Sequence, residues 1–473
     1  MSLIANQVIP TGYQKSEVGV IPDEWKISTI DDISLLPMQN GLFYEPARKG
    51  KGIPLINVSD MYKAAPISID SLELFDATLL EVKTFKVIEG DLFFTRSSIV
   101  PSGIAYCNVY PKVTSIAVFD SHLIKVRVNP AIADYRFMYL NCLATHARKH
   151  LIANAKTATM TTIDQKAIKS CPVLLPSIKE QTAIANALSD VDVLLTELEN
   201  LIAKKQAIKT ATMQQLLTGK TRLPQFATYI AGEEKGQAKG TKPSELGEIP
   251  EDWEIVKFGS IVNYIKGYPF KSAEYTDSGI RVVRVSDTSF TSIKNENPIF
   301  VSENSRRKYK KWSLEKGNII FTTVGSKPPM YDSLVGKAIL VESHHEGFLL
   351  NQNAVLIKPK LAAENISNLL VSHFRTERYI DHIEQIYRGN ANQASITLDG
   401  LFEFEIPLPR EPEEQTAIAT ILSDMDNEIQ ILEQRLKKTR QIKQGMMQEL
   451  LTGRTRLPFD TSDEKSTEIR NAN

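Results

Sequence analysis

At 473 residues the chain is too long for one ordinary core, and its 42% hydrophobic content is that of a globular protein. Its 56 basic residues balance 56 acidic ones, which excludes a histone-like polycation while permitting a local basic surface that attracts phosphate. No stretch approaches the ~20 apolar residues of a bilayer span, MSLIANQVIPTGYQKSEVG lacks a basic start before an apolar run, and Cys107, Cys142 and Cys171 are scattered, so a reduced cytoplasmic protein without disulfide framework or zinc knuckle is expected.

The first element in chain order is SEVGVIPDEWKI (16–27), and it returns as SELGEIPEDWEI (244–255). Pro22 pairs with Pro250 and Trp25 with Trp253. A repeat this long indicates two copies of a whole domain, not a solenoid. The middle of each copy keeps only a frame. GIPLINVSDM (52–61) aligns with GIRVVRVSDT (279–288), and VIEGDLFFTR (87–96) with LEKGNIIFTT (314–323). These predict short strands bounded by turns. DYRFMYLNCLATHARKH and ISNLLVSHFRTERYIDHIEQI predict helices. Each middle is therefore a mixed α/β domain.

The copies close alike. QTAIANALSDVD (181–192) matches QTAIATILSDMD (415–426), and LLTGKTRLP (216–224) matches LLTGRTRLP (450–458). Ser177 and Glu180 have capping-box spacing at a helix start, and Pro412 suits a first helical turn. The proline-free runs that follow predict two helices of about forty residues, or ~60 Å each. Leu188, Val191, Leu195, Leu198 and Ile202 form an apolar stripe on one. Ile421, Met425, Leu432 and Leu436 form its counterpart on the other. Such stripes call for a partner helix, and an antiparallel pair is expected. The late cations Lys204, Lys205, Lys209, Lys437, Lys438, Arg440 and Lys443 read as a solvated face or as a contact surface. The resulting division is a first α/β domain (1–176), a central helical region (177–225), a flexible polar linker (226–245), a second α/β domain (246–411), a C-terminal helical region (412–458) and a flexible tail (459–473).

Gly219, Lys220 and Thr221 imitate the end of a phosphate-binding loop. That motif needs glycine at 214, where Gln214 stands, and a preceding strand, where a helix is predicted. Gly219 and Gly453 are better explained as left-handed helix caps. HARKH places His146 and His150 four apart without the glutamate of a zinc protease helix, and reads as two surface histidines. KPPM (327–330) lacks the side-chain acceptor and aromatic that would hold a flipped base. No catalytic constellation and no metal site is evident.

Two IPxxW openings, two variable α/β middles, PxxEQ helix starts and LLTGxTRLP helix ends resemble the specificity subunit of a Type I restriction–modification system over nearly the whole chain. The resemblance implies two target-recognition domains, each reading half of a bipartite, asymmetric DNA site. It implies a coiled-coil spacer with pseudo-twofold symmetry, and docking surfaces for two methyltransferase subunits, through which restriction subunits join. S-adenosylmethionine, ATP and Mg would sit on those partners. The chain itself would bind no cofactor and catalyse nothing. A non-catalytic coiled-coil adaptor with two protein-binding heads is the alternative.

DNA-facing residues should be polar loop residues able to reach phosphates and base edges. In the first domain the candidates are Arg48 and Lys49, Thr95, Arg96, Ser97 and Ser98, and Lys156, Thr157 and Thr159. In the second they are Lys266 and Tyr268, Thr322, Thr323, Ser326 and Lys327, and Arg388, Asn390, Asn392 and Gln393. RRKYKKW (306–312) is the densest basic run, with Trp312 at a frame position that Phe85 occupies in the first copy, which favours the core for the ring.

Overall fold

The computed structural model describes residues 9–458 apart from 64, 65, 114, 362, 391 and 392, so the predicted tail and Asn392 lie outside the described residues. The chain divides into two compact units, Met1–Leu198 with Arg435–Asn473, and Glu199–Gln434. This differs from the linear division expected of the sequence. Each unit holds one α/β domain, the first half of its own long helix and the last half of the other copy's.

In the first unit a hairpin, Tyr13–Ser16 with Gly19–Pro22, precedes strand Lys26–Thr29, which pairs antiparallel with Pro172–Leu175. The central sheet has the order Gln39–Asn40, Leu123–Arg127, Asp91–Thr95, Cys107–Val109, all antiparallel. A second sheet sets Val118–Phe119 parallel on Lys49–Ile56. The second unit repeats this plan. Its hairpin is Thr241–Ser244 with Gly247–Pro250, and its strand Trp253–Lys257 pairs with Glu405–Pro409. Its central sheet runs Val262–Lys266, Ala354–Pro359, Ile319–Thr322, Ala338–Leu340, and Leu349–Leu350 lies parallel on Ile280–Val283.

The central strands read as continuous apolar runs because both faces are covered. Leu92 and Phe94 enter one core, while Phe93, pointing the other way, enters a second. Ile319 and Phe321 are likewise separated from Ile320. Successive strand side chains alternate between faces, so a slip of one residue would exchange the two sets.

The predicted long helices are Ile178–Leu216 and Pro412–Leu450, 39 residues each. In the first unit Ile184, Ala185 and Leu188 share a core with Leu450 and Leu451. In the second, Ile418, Ala419 and Leu422 share one with Met213, Leu216 and Leu217. The halves run antiparallel within each unit. Lys205 pairs with Glu428 at 2.6 Å while Lys209 pairs with Asp426, and in the first unit Lys443 pairs with Asp192. These three lysines therefore belong to neither a free solvated face nor an open contact surface. The second apolar stripe is also displaced from its expected register. Ile418, Leu422 and Ile429 are buried, whereas Ile421, Met425, Leu432 and Leu436 are only half-buried on the flank.

Each long helix ends in a clasp built from three motifs. Gly219 and Gly453 both have φ of +69°, the left-handed cap expected of them. A Cβ at either would also run into the ring of Pro250 or Pro22. Beyond the cap, Arg222 donates from Nε and Nη2 to the two carboxylate oxygens of Glu414, both at 2.7 Å, and the Trp253 indole donates to Glu414 Oε2 at 3.3 Å. The first unit matches: Arg456 forks onto Glu180, and the Trp25 indole donates to Glu180 Oε2 at 3.1 Å. Glu180 is thus not the closing member of a capping box; its carboxylate goes to the clasp. Burial pushes the Glu414 carboxyl above its ordinary range, with Arg222 pulling the other way. A charge this buried is tolerated only because it is paired and hydrogen-bonded.

The expected flexible linker is instead ordered in the described residues. Thr228 bridges Ala238, the Tyr229 hydroxyl meets Glu251, and Lys239 pairs with Asp252 at 2.7 Å. Its polar composition satisfies this compact turn and contributes strand Thr241–Ser244 of the second hairpin.

Candidate nucleic-acid interface

Some of the candidates gather on one three-stranded sheet in each unit. In the first, Asp91–Thr95 continues past Arg96 into Ser97–Ser98, which pairs antiparallel with Thr161–Thr162, and that strand pairs with Lys156–Thr157. The second unit builds the same three-stranded sheet from Val324–Gly325, Gln393–Ser395 and Arg388–Asn390. TRSS and AKTATMTT, and TTVGSK and the described residues of RGNANQ, are separate candidate segments in the sequence that these sheets make neighbours. Arg96, Lys156, Thr157 and Thr159 are exposed, as are Lys327 and Arg388, and Ser97 and Ser98 are half-buried. Lys156 is 84% exposed and its ammonium lies 3.7 Å from Asp164. The backbones of Asn390 and Gln393 pair across the second hairpin.

Other candidates are corrected by burial. Thr95 and Thr322 are fully buried, and each hydroxyl donates to a carbonyl, Gly103 O at 3.0 Å and Leu334 O at 3.1 Å. They tie the loop behind the sheet edge and offer nothing to a base. Ser326 is 6% exposed and accepts from the Ser333 hydroxyl, and Thr323 is half-buried with its backbone paired to Asn353 and Ile396.

Arg48 is committed inside the protein. It pairs with Glu81, donates to Asp76 O and lies over the Phe75 ring, and its guanidinium holds the Glu81 carboxyl down to about 2. Lys49 pairs with Glu73 at 3.0 Å but remains 45% exposed. Tyr268 packs with Phe270, Tyr309 and Trp312 in an aromatic cluster, its ring centroid 4.6 Å from that of Trp312. Lys266 is exposed at a strand end, and its carbonyl receives the Trp312 indole at 3.0 Å. Trp312 is half-buried rather than central, and Arg306 and Lys308 of the basic run pair with Glu303 and Glu274.

Sequence reasoning missed the residues that brace the edge from behind. Arg148 donates to the carbonyls of Ser102, Ile104 and Ala105, and in the second unit the Tyr379 hydroxyl donates to Gly336 O. No sequence signal aligns the two, since Arg148 is the fourth residue of its helix and Tyr379 the third of its own. His146 is not a surface histidine. It is half-buried beside Asn141 at 3.2 Å, and burial lowers its imidazole pKa to about 4. Among the described residues no group of three or more His, Cys, Asp or Glu is placed to hold a metal, and no helix is long and apolar enough to cross a membrane.

A fold built twice, with two polar sheet edges and two matching clasps, defines a paired recognition scaffold. The family model of the Type I restriction modification DNA specificity domain matches residues 22–210 and 250–441, and the chain belongs to that family. It is 26% identical to the putative Type I restriction enzyme MjaX specificity subunit of Methanocaldococcus jannaschii, over 94% of this chain and 97% of that one. It is also 26% identical to the MjaVIII specificity subunit of the same organism, over 72% of this chain and 75% of that one. The fold is shared with the S subunit of a Type I system from M. genitalium, at a TM-score of 0.54 and 15% identity, covering 90% of this chain and 96% of that structure. The chain is accordingly a specificity subunit, the non-catalytic component concerned with DNA sequence recognition.

Proposed function

We propose that the chain reads a bipartite DNA target, one half-site per α/β domain, and leaves methylation and cleavage to partner subunits. The observation that carries this is the double construction of one sheet edge from unlike side chains: Ser97–Ser98 against Thr161–Thr162 in one unit, Val324–Gly325 against Gln393–Ser395 in the other. Equal backbones with different side chains suit two half-sites of different sequence, so the whole site is not palindromic. Exposed Arg96, Lys156, Lys327 and Arg388 supply phosphate or base-edge contacts, joined in the first unit by Ser97, Ser98, Thr157 and Thr159; Asn390, Asn392 and Gln393 are proposed as readers from their residue types alone. The long helices act as the spacer between half-sites. They also dock two methyltransferase subunits, which carry S-adenosylmethionine and join the ATP- and Mg-dependent restriction subunits.

Mapping methylated adenines in the host genome by long-read sequencing tests this directly. The expected result is one asymmetric motif with a fixed gap. A gel shift with that duplex, with and without the methyltransferase subunits, completes the test. Selective binding under neither condition would refute the proposal.

A further inference from the structure

The loop that joins the third and fourth strands of each central sheet carries an exposed apolar tip. In the first unit the tip is Ile99, 86% exposed, with Val100, 53% exposed. In the second it is Met330, 52% exposed, with Tyr331, 45% exposed. Single exposed apolar side chains are common and need no explanation. These differ in two respects. They occur on the same loop in both copies, although the residues differ. And the loops are braced, which is not how a protein treats an idle surface turn.

The bracing acts at matching backbone positions of the two loops. Buried Thr95 and Thr322 tie the loop ends through their hydroxyls. Arg148 and Tyr379 hold the return of the chain at Ala105 and Gly336, both of which have positive φ. In the first unit the Tyr62 hydroxyl adds a bond to Gly103 O at 2.8 Å. In the second, the Tyr331 ring meets Phe290 with centroids 5.8 Å apart, and Phe290 N donates to Asp332. In the first unit the tip follows directly on edge strand Ser97–Ser98; in the second, Ser326 to Pro329 separate it from Val324–Gly325. Arg96 and Lys156 stand on that side in the first unit, Lys327 and Arg388 in the second. Glu377, Asp381 and Glu384 line a cleft together with Pro328, Pro329 and Tyr331, carboxylates that repel a phosphate backbone on that face of the second loop.

We propose that Ile99–Val100 and Met330–Tyr331 are apolar wedges that enter the base stack of the two half-sites and hold the duplex distorted while the polar edges read it. Apolar side chains inserted beside cationic groups are the equipment of proteins that part base steps and kink DNA. This rests on the proposed DNA-reading role of the sheet edges and adds a distortion at each half-site.

The test uses the full-length chain assembled with its methyltransferase subunits, and a duplex carrying the mapped methylation site. 2-Aminopurine is placed in turn at steps other than the methylated adenine. The expected result is a fluorescence rise at one step per half-site. Ile99→Ser with Val100→Ser should abolish the first rise and Met330→Ser with Tyr331→Ser the second. Each pair should weaken binding about tenfold while the slope of affinity against salt stays unchanged. Binding without a rise at any step would overturn the wedge and spare the reading role. If Arg96→Ala with Lys156→Ala changed neither affinity nor salt slope, the reading role of that edge would fall instead. Loss of methyltransferase assembly in the serine variants, with the rises intact, would make the tips a protein-docking surface and also overturn the wedge. Ile99, Val100 and Met330 are more than half exposed, Tyr331 gives up its Phe290 ring contact, and a cooperative thermal melt confirms that the variants fold.

Discussion

Each unit carries a clasp and a polar sheet edge, and the duplication has treated them oppositely. The clasps kept the same proline, tryptophan, glutamate, glycine and arginine in both copies. The edges kept their strand pairing and exchanged nearly every side chain. The difference follows from which atoms do the holding. A clasp is made by side-chain atoms, a guanidinium fork and an indole N–H converging on one buried carboxylate, and no other residue set presents them. An edge is held by backbone hydrogen bonds, which any residue supplies, so its side chains are free to differ with the sequence they face.

The largest effect should come from breaking a clasp. Glu414→Ala leaves Arg222 partly buried with one carboxylate fewer and strands the Trp253 N–H. A loss of about 3–5 kcal/mol in urea unfolding is expected. Glu414→Gln retains an acceptor for the indole and should lose less. A cost for Glu414→Ala no greater than the ~0.5 kcal/mol of an ordinary surface change would break the comparison. Gly453→Ala should cost about 1–3 kcal/mol, since a Cβ there meets both the left-handed backbone and the Pro22 ring. At the edges the pattern reverses. Ser97→Ala and Arg96→Ala should leave stability within about 0.5 kcal/mol. Arg96→Ala should flatten the salt dependence of DNA binding by about one unit of slope if the residue meets a phosphate. Arg48→Ala provides the control: it loses the Glu81 pair and stability, and should leave that slope alone.

What was legible in the sequence follows the same division. The caps at Gly219 and Gly453 and the helix starts could be read because the chain states them twice. Burial of individual polar residues could not. Thr95 and Thr322 look like DNA readers in a string, yet their hydroxyls close onto backbone carbonyls 8 and 12 residues away. Arg48 looks free until Glu81, 33 residues on, is brought beside it. The segment around 226–245 looks like a linker by composition, but Lys239 and Tyr229 find Asp252 and Glu251 only once the second IPxxW hairpin has formed. In each case the partner is fixed by tertiary structure, and local pattern holds no trace of it.

Acid should separate the two units most gently. Burial lowers the imidazole pKa of His146 in the first unit to about 4, and those of His345 and His373 in the second to about 4 and about 3. A folded pKa below the unfolded value of 6.5 means that the unfolded chain takes up the proton first as pH falls. The stabilisation is complete above about 6.5 and drains away toward the folded values. Two such groups lie in the second unit against one in the first. Glu414 works in the opposite sense, since its raised carboxyl binds a proton earlier when folded, and it offsets part of the loss as pH approaches the unfolded value of 4.5. Glu81 in the first unit and Glu274 in the second, each held to about 2, give up their contributions only between 4.5 and 2, so they leave the window from 6.5 to 4.5 to the histidines. Hydrogen exchange read peptide by peptide at pH 7 and pH 5, corrected for intrinsic rates, should show peptides of Glu199–Gln434 losing more protection than those of the first unit. His373→Leu should narrow that gap; a gap that persisted unchanged would mean that buried imidazoles are not what distinguishes the units in acid.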